Sequence, residues 1–214
     1  PMAGTPPPKS LPRWRRRAQS RPEEILDAAL AEFTERGFDG ARMEDVARRA
    51  GISKAGVYLY FQSKTALLEA LIEAKVAPLA RQAEGIARAG EADPLGALRV
   101  LATAISHRMS NPMALAVPRL VIGISGRFPD IADYYRTHVV EIARAALERL
   151  IETAMARGLI RRIDPAAVAL AFIGPLFFEA MWTHVLRGES AFAHPEKLIE
   201  QHFDILLNGL ELRA

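Results

Sequence analysis

The chain has 214 residues, half of them apolar, a formal net charge of +3 and no cysteine. That length allows one large domain or a small domain joined to a larger one, and the lack of cysteine excludes disulfides and thiolate metal sites and fits a reducing, cytoplasmic setting. Lys and Arg clearly outnumber Asp and Glu over residues 1–64 and nearly balance them over 65–214, so the surplus positive charge that would attract phosphates lies at one end.

Residues 1–19 hold four prolines before Leu11 and then Pro12-Arg13-Trp14-Arg15-Arg16-Arg17. The segment lacks the apolar core of a signal peptide, and its composition predicts a disordered, solvated tail; the alternative is a basic arm that reaches along DNA. Neither accounts for Trp14. Ser20-Arg21-Pro22-Glu23 reads as a capping box opening the first helix. Leu26, Ala29, Leu30 and Phe33 form its apolar stripe, Gly37 ends it, and Phe38 is left to pack into a small core.

Met43, Val46, Ala47 and Ala50 then recur at the period of one helix face, and Gly51 stands where a C-terminal glycine stop belongs. Ser53 is a suitable N-cap for a second short helix whose buried face is Val57 and Phe61. Two short helices about a tight glycine turn make a helix-turn-helix, and the second can enter a DNA major groove. It would expose Lys54, Ala55, Gly56, Tyr58, Leu59 and Tyr60, with Lys64 just beyond. Small residues allow close approach, and phenols and ammonium groups suit phosphate oxygens.

The run Gly51-Ile52-Ser53-Lys54-Ala55-Gly56-Val57-Tyr58-Leu59-Tyr60-Phe61, followed by Ser63-Lys64 and Ala66-Leu67-Leu68, resembles the DNA-binding domain of the TetR family of transcriptional regulators. The similarity covers roughly residues 22 to 71. It implies that Lys54, Ala55, Gly56 and Tyr58 lie near base edges or the adjoining backbone, and Ser53, Leu59, Tyr60 and Lys64 near phosphates. Two positions depart from the family pattern. Ala41 and Arg42 stand where Thr or Ser usually opens the second helix, so a cap worth about 1 kcal/mol is missing, and Arg42 is a candidate phosphate contact in its place. Leu59 replaces a residue that is often His, Trp or Tyr.

From Ser63 a longer helical pattern continues towards Ala89, with Pro78 expected to kink it. It is the natural lever between a DNA-binding unit (20–64) and a helical ligand-binding and dimerisation domain (65–214). Asp93-Pro94, Asn111-Pro112, Phe128-Pro129, Asp164-Pro165 and His194-Pro195 each signal a further helix start. The fold class is therefore all-α, with about nine helices and no strand. The helix from Pro165 is apolar nearly all round, which requires burial on every side. Its uninterrupted apolar run is too short for a bilayer and contains Gly174-Pro175, which argues against a membrane span. One face can cover a core and the other a partner subunit. With the last helix it would form a four-helix interface in a homodimer reading a palindromic site, as the resemblance also implies.

TetR-like proteins usually carry a ligand cavity in the larger domain, and a ligand that favours one spacing of the DNA-binding heads changes DNA affinity. Candidate lining groups are Met109, Met113, Phe128, Tyr135, His138, Phe172 and Trp182, with His107, Arg119 and Glu179 as polar anchors for an apolar or amphipathic small molecule. The competing reading is that such residues at helical spacing are core. No catalytic set is evident. Gly123-Ile124-Ser125-Gly126 is not a nucleophile elbow, and His138 with Glu141 lacks a second histidine for zinc. No cofactor or metal is expected. A small-molecule carrier would leave Lys54, Tyr58, Tyr60 and Lys64 unexplained, and a nonspecific DNA-coating protein would lose preference for a palindrome. The sequence points to a ligand-responsive, homodimeric DNA-binding repressor.

Overall fold

The computed structural model describes residues 13–210, and the side chains of residues 21–209. Among them there is no strand. In chain order the helices are α1 (Arg13–Gly40), α2 (Met43–Arg49), α3 (Lys54–Tyr58), α4 (Lys64–Leu71), α5 (Ala77–Ala89), α6 (Pro94–Met109), α7 (Ala116–Ile124), α8 (Pro129–Tyr135), α9 (Glu141–Ala156), α10 (Pro165–His184) and α11 (Pro195–Leu210). Single π-turns, Ile72–Val76 and Arg136–Val140, join α4 to α5 and α8 to α9, so each pair is one interrupted rod. Residues up to Leu67 form one compact unit, and residues from Leu68 onward a second.

In the first unit Ile25, Ala29, Phe33, Val46 and Val57 are fully buried. Gly37 adopts φ 71°, ψ 166°, a conformation open to glycine, and breaks the helical course of α1. The chain can then turn Phe38 back so that its ring centre lies 5.3 Å from that of Phe33.

In the second unit the helix starts follow the X-Pro signals. Asp93, Asn111 and Asp164 accept hydrogen bonds from the backbone N–H groups of Gly96, Met113 and Ala166 at 3.0, 2.9 and 2.9 Å. The proline after each occupies a first-turn position whose N–H would need no helical partner. The core gathers Leu101, Leu150, Ile151, Phe172 and Phe203 from α6, α9, α10 and α11. Phe172 and Phe203 meet edge to face at 6.0 Å. His202 is buried beside them, its Nε2 donating to the Phe172 carbonyl at 3.0 Å. Burial pushes its pKa below the ordinary histidine value, against the opposing pull of that hydrogen bond.

Several expectations are corrected here. α1 starts at Arg13 and not at Ser20, so residues 13–19 are helical instead of a disordered tail and Pro22 lies inside the helix. Arg, Ala and Gln are good helix formers, and an interior proline can be crossed at the loss of a backbone hydrogen bond. The tail reading of residues 1–12 falls outside the described residues. Pro78 does not kink a helix interior; the π-turn immediately precedes it, and Pro78 sits in the first turn of α5. α10 runs unbroken through Gly174-Pro175 for 20 residues with mean hydropathy 1.6, so by length and composition it could cross a membrane. The apolar run read from sequence, Ala166 to Phe178, is bounded by Glu179 and already passes through Pro175. Packing of Val168, Ala169, Phe172, Leu176 and Ala180, all buried, holds the helix across it.

Candidate nucleic-acid interface and ligand cavity

Gly51, at φ 65°, turns α2 into α3 in a conformation that glycine adopts without strain. Ser53 caps α3, its hydroxyl accepting from the Gly56 amide at 3.0 Å. A side chain at position 56 would press on that cap, because an added Cβ would lie 3.2 Å from Ser53 Oγ. Val57 alone anchors α3, fully buried, while Lys54, Ala55, Tyr58, Leu59 and Tyr60 are exposed around it and Gly56 is half-buried. Leu59 is 85% exposed, an arrangement that leaves a bare aliphatic side chain in water unless something covers it. Arg42 is exposed and makes no side-chain cap to α2.

Much of the basic charge in this unit is paired within the unit. Asp45, buried in α2, is held by Arg36 at 3.2 Å and by Arg48. Glu32, also buried, pairs with Arg49 at 2.9 Å and with Arg36 at 3.2 Å. Arg49 reaches Glu35 as well, at 2.5 Å, and that hydrogen-bonded arginine lowers the Glu35 pKa. Of these, the Arg36–Asp45, Arg49–Glu32 and Arg49–Glu35 pairs join α1 to α2. Lys64, expected among the phosphate contacts, donates to the carbonyls of Phe38 and Asp39 at 2.7 and 3.2 Å and lies 5.0 Å above the Phe38 ring. Two of its ammonium hydrogens thus close the end of α1 onto the start of α4. Lys54 pairs with Glu44, which raises the lysine pKa and lowers that of the carboxyl, and stands 5.9 Å from the Tyr58 ring centre.

The second unit holds a cavity of about 640 Å³, within the range of small-molecule sites. Its walls come from α5, α6, α7, α8, α9 and α10, with Lys75, Val76, Val139 and Val140 supplied by the two π-turns and Ala114 and Leu115 by the turn before α7. The lining is apolar apart from the hydroxyl of the half-buried Tyr135, whose pKa desolvation pushes up to about 12, and the cations Lys75, Arg108 and Arg144. Arg108 donates to the Lys75 carbonyl and Arg144 pairs with Glu148 at 3.4 Å.

Of the side chains expected to line such a cavity, Met109 and Tyr135 do so. The others are placed elsewhere. Phe172 is core, fully buried. Trp182 donates its indole N–H to the Glu189 carbonyl at 2.9 Å and packs so tightly over Gly188 that an added Cβ there would lie 2.0 Å from the ring. His107 is exposed and pairs with Glu196 at 3.2 Å. His138 is exposed and stacks on Tyr134 at 3.9 Å. Met113 and Arg119 point to solvent, and Phe128 lies half-buried with the Arg127 guanidinium 5.9 Å from its ring centre. Glu179 lines a separate, smaller pocket. Bulky residues at helical spacing fill space, which places them in core or turns. What sequence reasoning missed are the alanines that leave the space open: Ala80, Ala83, Ala114, Ala143, Ala166 and Ala169. Among the described residues no group of three or more His, Cys, Asp or Glu could hold a metal.

Residues 25–71 match the sequence profile described as bacterial regulatory proteins, tetR family, and residues 96–206 match the AefR-like transcriptional repressor, C-terminal domain. The chain is similar to the uncharacterized HTH-type transcriptional regulator YvdT of Bacillus subtilis, 43% identical over 51 residues, or 24% of this chain and 26% of that one. It is also similar to the regulator TtgR of Pseudomonas putida, 32% identical over 93 residues, 42% of each chain. Each match thus spans less than half of the relative's length. Among solved structures, the flavonoid-responsive regulator FrrA superposes with a TM-score of 0.66 at 27% identity, covering 92% of this chain and 100% of that one. The fatty acid degradation regulator FadR from Bacillus halodurans superposes at 0.68 and 19% identity over 90% of this chain and 97% of that one, a likeness of fold.

Proposed function

The chain belongs to the TetR family of DNA-binding transcriptional regulators, and on that premise we propose that it is a homodimeric repressor released from a palindromic operator by an apolar or amphipathic small molecule. The observation that carries this reading is α3 with the turn after it, anchored by one buried valine: the helix exposes Lys54, Ala55 and Tyr58, and the turn exposes Leu59 and Tyr60 beside them. Lys54, Ala55, Gly56 and Tyr58 approach bases and the adjoining backbone, and Arg42, Ser53, Leu59 and Tyr60 the flanking phosphates. Lys64 keeps one ammonium hydrogen for a phosphate while its others hold α1 to α4.

Dimerisation is supported by the outer face of α10, where Leu170 and Phe178 are 71% and 63% exposed with Trp182 beside them, and by Ile205 of α11 at 73%. Apolar residues this exposed on two long helices fit a symmetric four-helix interface. The effector would occupy the 640 Å³ cavity. Because its charged wall groups are all cationic, it suits a neutral or anionic amphiphile, a class that includes both flavonoids and fatty acids, the compounds for which FrrA and the Bacillus halodurans FadR are named. Effector binding there favours one of two arrangements of the DNA-binding heads, and DNA affinity falls by the ligand's differential affinity for the two.

Fluorescence-anisotropy titration against DNA flanking the protein's own gene, with a scrambled duplex as control, tests the reading. The expected preference is roughly a thousandfold or more. Equal, steeply salt-dependent binding to this duplex, to further promoter fragments and to the scrambled control would identify a DNA-coating protein instead.

A further inference from the structure

Apart from the large cavity, α6, α10 and the segment leading into α11 enclose a pocket of about 180 Å³. Glu179 is the one acid on its wall, and no Lys or Arg lines it. Oε1 of Glu179 is buried and has no hydrogen-bond partner among the described residues. None of the four hydroxyls on the wall, Ser106, Ser110, Thr183 and Ser190, hydrogen-bonds it, and three of them have their single hydrogen committed elsewhere. Ser110 donates to the Ser106 carbonyl at 2.9 Å, Thr183 to the backbone carbonyl of Glu179 itself at 2.9 Å, and Ser190 to the Phe192 carbonyl at 3.1 Å. A carboxylate oxygen held out of water without a donor is costly, and the cost vanishes when a charged donor arrives.

The rest of the wall says what kind of donor fits. Met109, Leu176 and Leu198 give the pocket an apolar wall beside the carboxylate's hydroxyl and histidine neighbours. A closed apolar cavity of about 150 Å³ takes a benzene ring, so this pocket has room for a ring bearing one short substituent. We infer that it is a second ligand site, which binds a compact primary ammonium of about the size of benzylamine, the charge on Glu179 and the apolar body against Met109, Leu176 and Leu198. His184 and His194 are the basic side chains on this wall, and neither hydrogen-bonds Oε1 of Glu179; the permanent cations Lys and Arg line only the larger cavity. The two sites share Met109, and the smaller one stands whether or not the larger one holds the effector.

Isothermal titration of the full chain with benzylamine and with benzyl alcohol, its neutral counterpart, tests this. Benzylamine should bind about tenfold or more tightly than the alcohol. Glu179→Gln should erase that difference while melting at or above the wild-type temperature, since it removes an unpartnered buried charge. Ala193→Trp, placed on the exposed loop that borders the pocket, should block both probes alike. The inference is overturned if neither probe binds, or if wild type binds the two equally, which would mean that water satisfies the oxygen. It is equally overturned if the preference survives Glu179→Gln or if Ala193→Trp leaves benzylamine binding unchanged.

Discussion

The unit that ends at Leu67 and the unit that follows are built on different terms. In the first, polar and charged side chains do the fastening: Asp45 and Glu32 are buried acids surrounded by Arg36, Arg48 and Arg49, Ser53 caps α3, and Lys64 ties two backbone carbonyls. In the second, the core is mainly Leu, Ile, Phe and Ala from α6, α9, α10 and α11, and its candidate ligand site is a space that alanines leave unfilled. A small unit buries little apolar surface and leans on specific polar geometry, whereas a larger one can afford a void. On the proposed reading, function in the first is carried by residues that are present on a surface, and in the second by atoms that are missing from an interior.

Substitutions can separate the two. The largest effect is expected for Tyr58→Ala, which should weaken specific DNA binding by about 1–3 kcal/mol and leave thermal unfolding of the second unit unchanged; unaltered DNA affinity in an anisotropy titration would remove Tyr58 from the interface. Lys64→Ala comes next. It should cost the first unit about 1–2 kcal/mol in a denaturant melt, through the lost hydrogen bonds to Phe38 and Asp39. A variant that melts like wild type but binds every duplex more weakly would return Lys64 to a purely phosphate-facing role.

A smaller effect falls on the second unit alone. Burial holds the His202 pKa below 6.5, so the folded chain keeps the ring neutral where the unfolded chain takes up a proton. The stability it contributes is complete above about pH 6.5 and declines as the pH falls below that value. Wild type should therefore lose more melting temperature than His202→Gln between about pH 7.5 and 5.5, and parallel losses would show that His202 does not set the slope. The smallest effect is a gain. Glu44→Gln frees Lys54 and removes a negative charge beside α3, and should tighten binding to all duplexes by roughly twofold to fivefold. Weaker binding would mean that Glu44 positions Lys54 for DNA instead of restraining it.

Legibility in the sequence follows the same division. Caps, glycine turns and X-Pro starts are local, one residue meeting a backbone group a few positions away, and Ser53, Gly51, Asp93 and Asp164 stand in the structure as their residue types require. The all-α fold was readable on this basis. The start of α1 was not, because an interior Pro22 looks like a first-turn proline from sequence. The Arg36–Asp45 and Arg49–Glu32 pairs join residues far apart in the chain, which helical periodicity cannot reveal. Phe172 and Trp182 drew attention through size, yet size fills cavities, and the alanines that form one carry no signal taken singly.

The most direct test of the account is selection of bound duplexes from a random pool by the full-length protein, followed by sequencing. Two α3 helices carried on a symmetric dimer should enrich an inverted repeat, with half-sites spaced by about one helical turn. Enrichment of a single unrepeated site, or no enrichment over the input pool, would contradict the claim that this chain reads DNA as a symmetric pair.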